Sequence, residues 1–179
     1  MPLYPPVGME RLGSNKLASA GTSVGAITIP PRDLLFIWVA INGYAGGGDI
    51  GALQFNGDTT ATNYGSRMVY LNTAASATLT NQSNNGSIAR IPCGPTAVTT
   101  GRTAMAFVNN HSQNAVKPIT MIADVAQTTA ATEINVVPCQ IWGQYNTGGA
   151  TTLITQVNLI TPSANMSTGS GFIVYGANL

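Results

Sequence analysis

Apolar residues are densest from Leu34 to Ile41 (LLFIWVAI), where no polar side chain interrupts the run. A strand with this pattern is apolar on both faces and needs cover on both, from a second sheet or from a neighbouring subunit. It is far too short for a membrane-spanning helix, which needs ~20 apolar residues. The chain then turns at Gly46-Gly47-Gly48. A second short run, Ile50 to Phe55, is closed by Asn56-Gly57-Asp58, so the pattern predicts a strand, a glycine turn and another strand.

Shorter apolar runs follow between Gly, Pro, Asn and Ser clusters. Strands are predicted at Val24–Ile29, Ser66–Leu71, Ser87–Ile91, Thr103–Val108 and Val116–Val125, the last with Pro118 near its start, as suits an edge or a bulge. Glu133–Tyr145 is a strand region interrupted at Pro138. Thr152–Ile160 alternates apolar and polar residues as a half-buried strand does, and Gly171–Tyr175 closes the chain. Asn72–Gly86 is polar and low in complexity and reads as a long exposed loop. No stretch keeps a 3.6-residue period with helix caps. Strands at this spacing, roughly eight to ten of them, predict an all-β fold, a jelly-roll-like antiparallel β-sandwich.

Residues 1–30 have a different texture. Pro2, Pro5, Pro6 and Pro30, with Pro31 just beyond, alternate with glycines and hold the backbone extended. Isolated apolar side chains along this stretch (Leu3, Tyr4, Val7, Met9, Leu12, Leu17) suit an arm that docks, by strand addition or otherwise. Two parts are therefore expected: an extended arm over 1–30 and a sandwich domain over 31–179.

Charge changes the picture most. Only 7% of the 179 residues are charged, against ~25% in an ordinary globular domain. Seven basic residues balance six acidic ones to a net charge of +1, and no ionic side chain occurs from Ile134 to the C-terminus. Chains near zero net charge tend to associate, which suits an assembly component. Scattered basic residues make no footprint for nucleic acid. No apolar run suggests a membrane partner. No basic segment followed by an apolar one opens the chain, so synthesis in the cytoplasm without a signal peptide is expected.

Little chemistry is legible. His111 is the sole histidine and lies in the turn NNHSQN, with no carboxylate or nucleophile at triad spacing. Cys93 and Cys139 lack the spacing of a zinc site and read as buried thiols. Asp49 and Asp58 flank a predicted strand, about 25 Å apart when extended, which is too far for a glycosidase pair. Asn56-Gly57-Asp58 reads as a turn rather than a calcium loop. Gly46-Gly47-Gly48 lacks the lysine and helix of a phosphate loop. No catalytic residue, metal or cofactor is expected, and the chain is not expected to be an enzyme.

Two segments carry a resemblance: INGYAGGGDIGALQFNGDTTATNY, and the terminus LITQVNLITPSANMSTGSGFIVYGANL with Ile154, Val157, Leu159, Gly169, Tyr175 and Gly176 at its marking positions. Together they resemble virion proteins of tailed bacteriophages, of jelly-roll type, most like capsid cement or decoration (auxiliary head) proteins. The likeness covers about a third of the chain. It implies a homotrimer on the capsid exterior, with the major capsid protein as partner. On that reading Leu3, Tyr4, Pro5, Pro6, Arg11 and Leu12 form a capsid-binding arm. Phe36, Trp38 and Ile41 belong to the core or a subunit interface. The alternative role is a tail- or head-fibre domain that reads a host glycan, with Tyr64, Tyr70, Trp142 and Tyr145 as stacking platforms.

Overall fold

The computed structural model describes residues 8–45, 51–71, 77–80, 91–93, 101–128, 134–146 and 152–179. Its strands are, in order, β1 (Glu10–Lys16), β2 (Ile27–Thr28), β3 (Leu34–Ile41), β4 (Tyr44–Ala45), β5 (Ala52–Phe55), β6 (Tyr64–Leu71) and β7 (Ala77–Thr80). They continue with β8 (Ile91–Pro92), β9 (Arg102–Asn109), β10 (Val116–Thr128), β11 (Ile134–Asn146), β12 (Gln156–Ile160), β13 (Asn165–Met166) and β14 (Gly171–Ala177). A short 3₁₀ turn, Ala61–Asn63, is the one helical element among the described residues.

Antiparallel pairing builds an eight-stranded sheet in the order β1-β14-β3-β9-β10-β11-β6-β7. A four-stranded sheet, β2-β12-β5-β8, and a two-stranded one, β13-β4, complete a sandwich-like all-β arrangement. The core lies between the larger sheets. From the large one come Leu35, Ile37, Val39, Ile41, Ala106, Met121, Ile141 and Val174; from the small one come Leu53, Phe55, Val157 and Leu159, all at most 2% exposed. Strand alternation explains the set, because every second residue of each strand faces inward.

The longest pairing is the β10–β11 hairpin, which runs from Val116↔Asn146 to Thr128↔Ile134. Pro118 and Pro138 both lie within it, so β11 is not interrupted and β10 is central rather than an edge. Each proline sits one residue beyond the register of the next strand: β9 joins β10 from Ile119, and β6 joins β11 from Cys139. A ladder N–H is dispensable on that side.

Within the stretch expected as an arm, residues 10–16 and 27–28 are strands, and Gly21 and Ser23 make single bridges, so much of residues 10–29 is tied to the rest of the chain. β1 runs beside β14, with a bulge between Arg11 and Gly13. Val24 and Ile29 donate backbone hydrogen bonds to Leu159 and Thr155, and Ile27 and Thr28 pair with β12. Ala77–Thr80, read from sequence as exposed loop, pairs with β6 instead.

Candidate interaction surface

β3 sorts its side chains by parity. Leu35, Ile37, Val39 and Ile41 enter the core, while Phe36 and Trp38 point to the outer face of the eight-stranded sheet. Cross-strand register extends that face into two rows. One runs Ser14–Ile173–Trp38–Met105–Ile122–Gln140–Val69. The other runs Arg11–Tyr175–Phe36–Phe107–Thr120–Trp142–Arg67. Residues directly opposite in antiparallel strands lie on the same face with side chains in reach, so each row is a physical line.

The middle of these rows is apolar and open. Phe107 is 47% exposed, Ile122 45% and Trp142 44%, and Trp38, Met105 and Ile173 are half-buried. Phe36 is nearly covered and packs at a tilt against Phe107 and Tyr175, with ring centroids 4.9 and 6.0 Å apart. Single exposed apolar residues are ordinary, but a contiguous apolar patch on a folded surface marks an interaction site.

Of the residues assigned to capsid contact, Leu3, Tyr4, Pro5 and Pro6 lie outside the described residues. Arg11 is exposed and donates to Ser14 Oγ at 2.5 Å. Leu12, at the bulge, packs against the core. Of the residues assigned to core or interface, Ile41 belongs to the core and Phe36 and Trp38 to the outer face. Among the proposed stacking platforms Tyr64 and Tyr145 are buried, each 3% exposed, and only Trp142 is open; the Tyr70 side chain lies outside the described set.

The turn after β5 consumes its polar groups internally. Asn56 and Gly57 take φ of 53° and 63°, the left-handed pair that an Asn-Gly turn supplies. Asp58 accepts hydrogen bonds from the Thr60 N–H and Asn63 Nδ2, both at 2.7 Å. Burial raises its carboxyl pKa, but the hydrogen bonds from Asn63 and Thr60 outweigh this and leave it lowered. The Tyr64 hydroxyl accepts from the Phe55 N–H at 3.1 Å and closes the turn over the stacked Phe55 and Tyr64 rings, against which Tyr145 packs at a tilt. Asp49 lies outside the described residues.

The remaining candidates are also occupied. His111 accepts from the Gln113 N–H through Nδ1, and its carbonyl takes a hydrogen bond from the buried Lys117 ammonium at 2.9 Å. Cys93 and Cys139 are free and buried, and burial pushes both thiols up to about 12, against a smaller downward pull from Arg102. A thiol held protonated in this way is a packing residue. The outer face was missed in sequence because it comes from strands far apart in the chain; Phe107 and Ile122 carried no local mark.

No protein-family model matches this chain, and no curated protein matches it. Among solved structures it is similar to the infectious bursal disease virus VP2 subviral particle, at 10% identity and a TM-score of 0.14. The overlap covers 93% of this chain but 38% of that one, so the chain spans well under half the length of the protein it matches. A likeness this shallow decides neither fold nor role.

Proposed function

We propose that this chain is a structural, non-enzymatic virion protein, a cement protein of a tailed-bacteriophage head that clamps neighbouring major capsid proteins from outside, as a homotrimer. The observation that carries the reading is the open aromatic face of the eight-stranded sheet on a chain with almost no charge. A free monomer pays a solubility cost for such a face, whereas a subunit that docks in many copies turns it into adhesion. Repetition over a shell makes modest contacts add up without any single tight site.

A second reading rests on Trp142, whose exposed ring has Gln140 and Gln144 two residues away on the same face of β11 and Thr120 opposite. An exposed indole among hydrogen-bonding side chains suits stacking on a sugar ring in a fibre tip.

Locating the protein in purified particles separates the two. Electron cryomicroscopy with quantitative mass spectrometry is expected to find it over the head surface, in a copy number on the order of hundreds, as multivalent adhesion requires. Confinement to a fibre in about a dozen copies favours the glycan reading, and absence from particles overturns both.

A further inference from the structure

We infer that the outer face of the eight-stranded sheet is the surface that meets the shell, and that its occupant is a protein surface with an apolar centre and carboxylates at both ends. The inference rests on the virion reading and names the contact that reading leaves open. The row through Phe107 and Trp142 begins at Arg11 on β1 and ends at Arg67 on β6. Six strand-to-strand steps of roughly 4.8 Å put these arginines about 29 Å apart. Apolar centre and charged rim is the anatomy of a specific interface.

Size agrees. The central strands β3 and β9 are eight residues long, so the face measures about 29 by 27 Å. That is roughly 800 Å², the area one partner gives to an interface of standard size.

Charge identifies the kind of occupant. Among the described residues the one ion pair joins Arg32 to Glu10, so neither Arg11 nor Arg67 is matched there by a described carboxylate. The described carboxylate side chains are engaged elsewhere: Glu10 by Arg32, Asp33 by the Leu179 N–H, Asp58 by its own turn. A second copy docking face to face with its rows aligned about a two-fold axis sets arginine against arginine at both ends, whichever way the rows run. Like charges across an interface exclude that pairing, and a different protein with acidic groups at the same spacing satisfies it.

The test uses the full chain in the virus that encodes it, with Phe107→Thr, Trp142→Ser and the charge reversal Arg67→Glu. All three sites are exposed, and circular dichroism and sedimentation of each purified variant check fold and oligomeric state. Incorporation into particles is expected to fall by about tenfold or more for Phe107→Thr and Trp142→Ser, with sedimentation unchanged. Arg67→Glu is expected to lower incorporation more at low salt than at high salt. Wild-type incorporation of all three overturns the inference while leaving the virion reading intact. A changed oligomeric state in the Phe107 or Trp142 variant also overturns it, because the face then joins copies of this chain. Absence of the wild-type protein from particles defeats the virion reading itself.

Discussion

Asn110 and Ile154, 44 residues apart, exchange two hydrogen bonds as if they were paired strand residues. The Asn110 Oδ1 accepts from the Ile154 N–H at 2.8 Å, and its Nδ2 donates to the Ile154 carbonyl at 3.2 Å. The same Nδ2 lies 2.9 Å from the Arg32 carbonyl, and the Asn110 N–H donates to Asp33 at 2.7 Å. One fully buried amide thus ties the entry to β3, the exit of β9 and the approach to β12, joining the two large sheets at one end.

Asn110→Ala strands the Ile154 N–H and two carbonyls in a site closed to water. Each unsatisfied group costs ~1–3 kcal/mol, partly relieved by relaxation, so a loss of about 2–4 kcal/mol is expected. Urea unfolding followed by tryptophan fluorescence reads it as a lower midpoint at unchanged slope. A midpoint equal to wild type shows that the latch contributes nothing.

That residue also marks where sequence reading stops. Asn109-Asn110 looks like a turn, and the local pattern holds no sign that one of the two amides is buried. The apolar run Leu34–Ile41, by contrast, announces its strand and its two apolar faces without help, because the pattern is local; the cover expected on both faces is present on the inner one, while Trp38 on the outer face is only half-buried. β1 failed to show for the opposite reason. ERLGSNK has no apolar alternation, and it becomes a strand because the edge of β14, more than 150 residues later, offers unpaired backbone groups. The outer face has the same non-local origin: its two rows exist only once register has set Trp38 beside Met105 and Phe107 beside Thr120.

Adjacent residues on β3 should respond very differently to truncation. Ile37 is fully buried between the sheets, and Ile37→Ala is expected to cost ~2–5 kcal/mol through lost burial and the cavity left behind. Trp38 is half-buried on the outer face, where Trp38→Ser leaves no closed cavity and is expected to cost about 1 kcal/mol. Chemical denaturation of both variants, at a protein concentration low enough to suppress association, checks the order. Equal costs would mean that the outer face is covered within the monomer.

Alkaline pH should destabilise the fold. Cys93 and Cys139 titrate near 12 when folded and from a reference value of 9.0 when not, because burial disfavours the thiolate. Between those limits the unfolded chain has lost protons that the folded chain keeps. Stability is therefore full below pH 9 and falls as pH rises toward 12, by about 1.4 kcal/mol per pH unit for each thiol once both limits are well separated. Tyr145, pushed up to about 12 chiefly by burial, adds to the fall above pH 10. Lys117 opposes it: burial lowers its pKa, so stability recovers as pH climbs to the reference value of 10.5. Melting temperature measured from pH 8 to 11 should decline, and the Cys93→Ala, Cys139→Ala double variant should show a flatter decline. An unchanged slope in the double variant removes the thiols as the cause.

Two N-terminal truncations separate docking from folding. Removing residues 1–7 takes away Leu3, Tyr4, Pro5 and Pro6 and touches none of the described strand pairings, so the melting temperature should stay within about 2 °C of wild type. Removing residues 1–17 also strips β1 from β14 and takes Leu12 and Leu17 off the core. It bares β14, whose alternate residues Phe172 and Val174 are buried, as a long apolar edge. Exposed edges of that kind pair with other chains, so concentration-dependent aggregation and a clearly lower melting temperature are expected. If the first truncation abolishes incorporation into particles while its stability holds, the leading residues act as a docking arm. If incorporation survives it, the contact falls to the outer face alone, and β1 serves to close the sheet that presents that face.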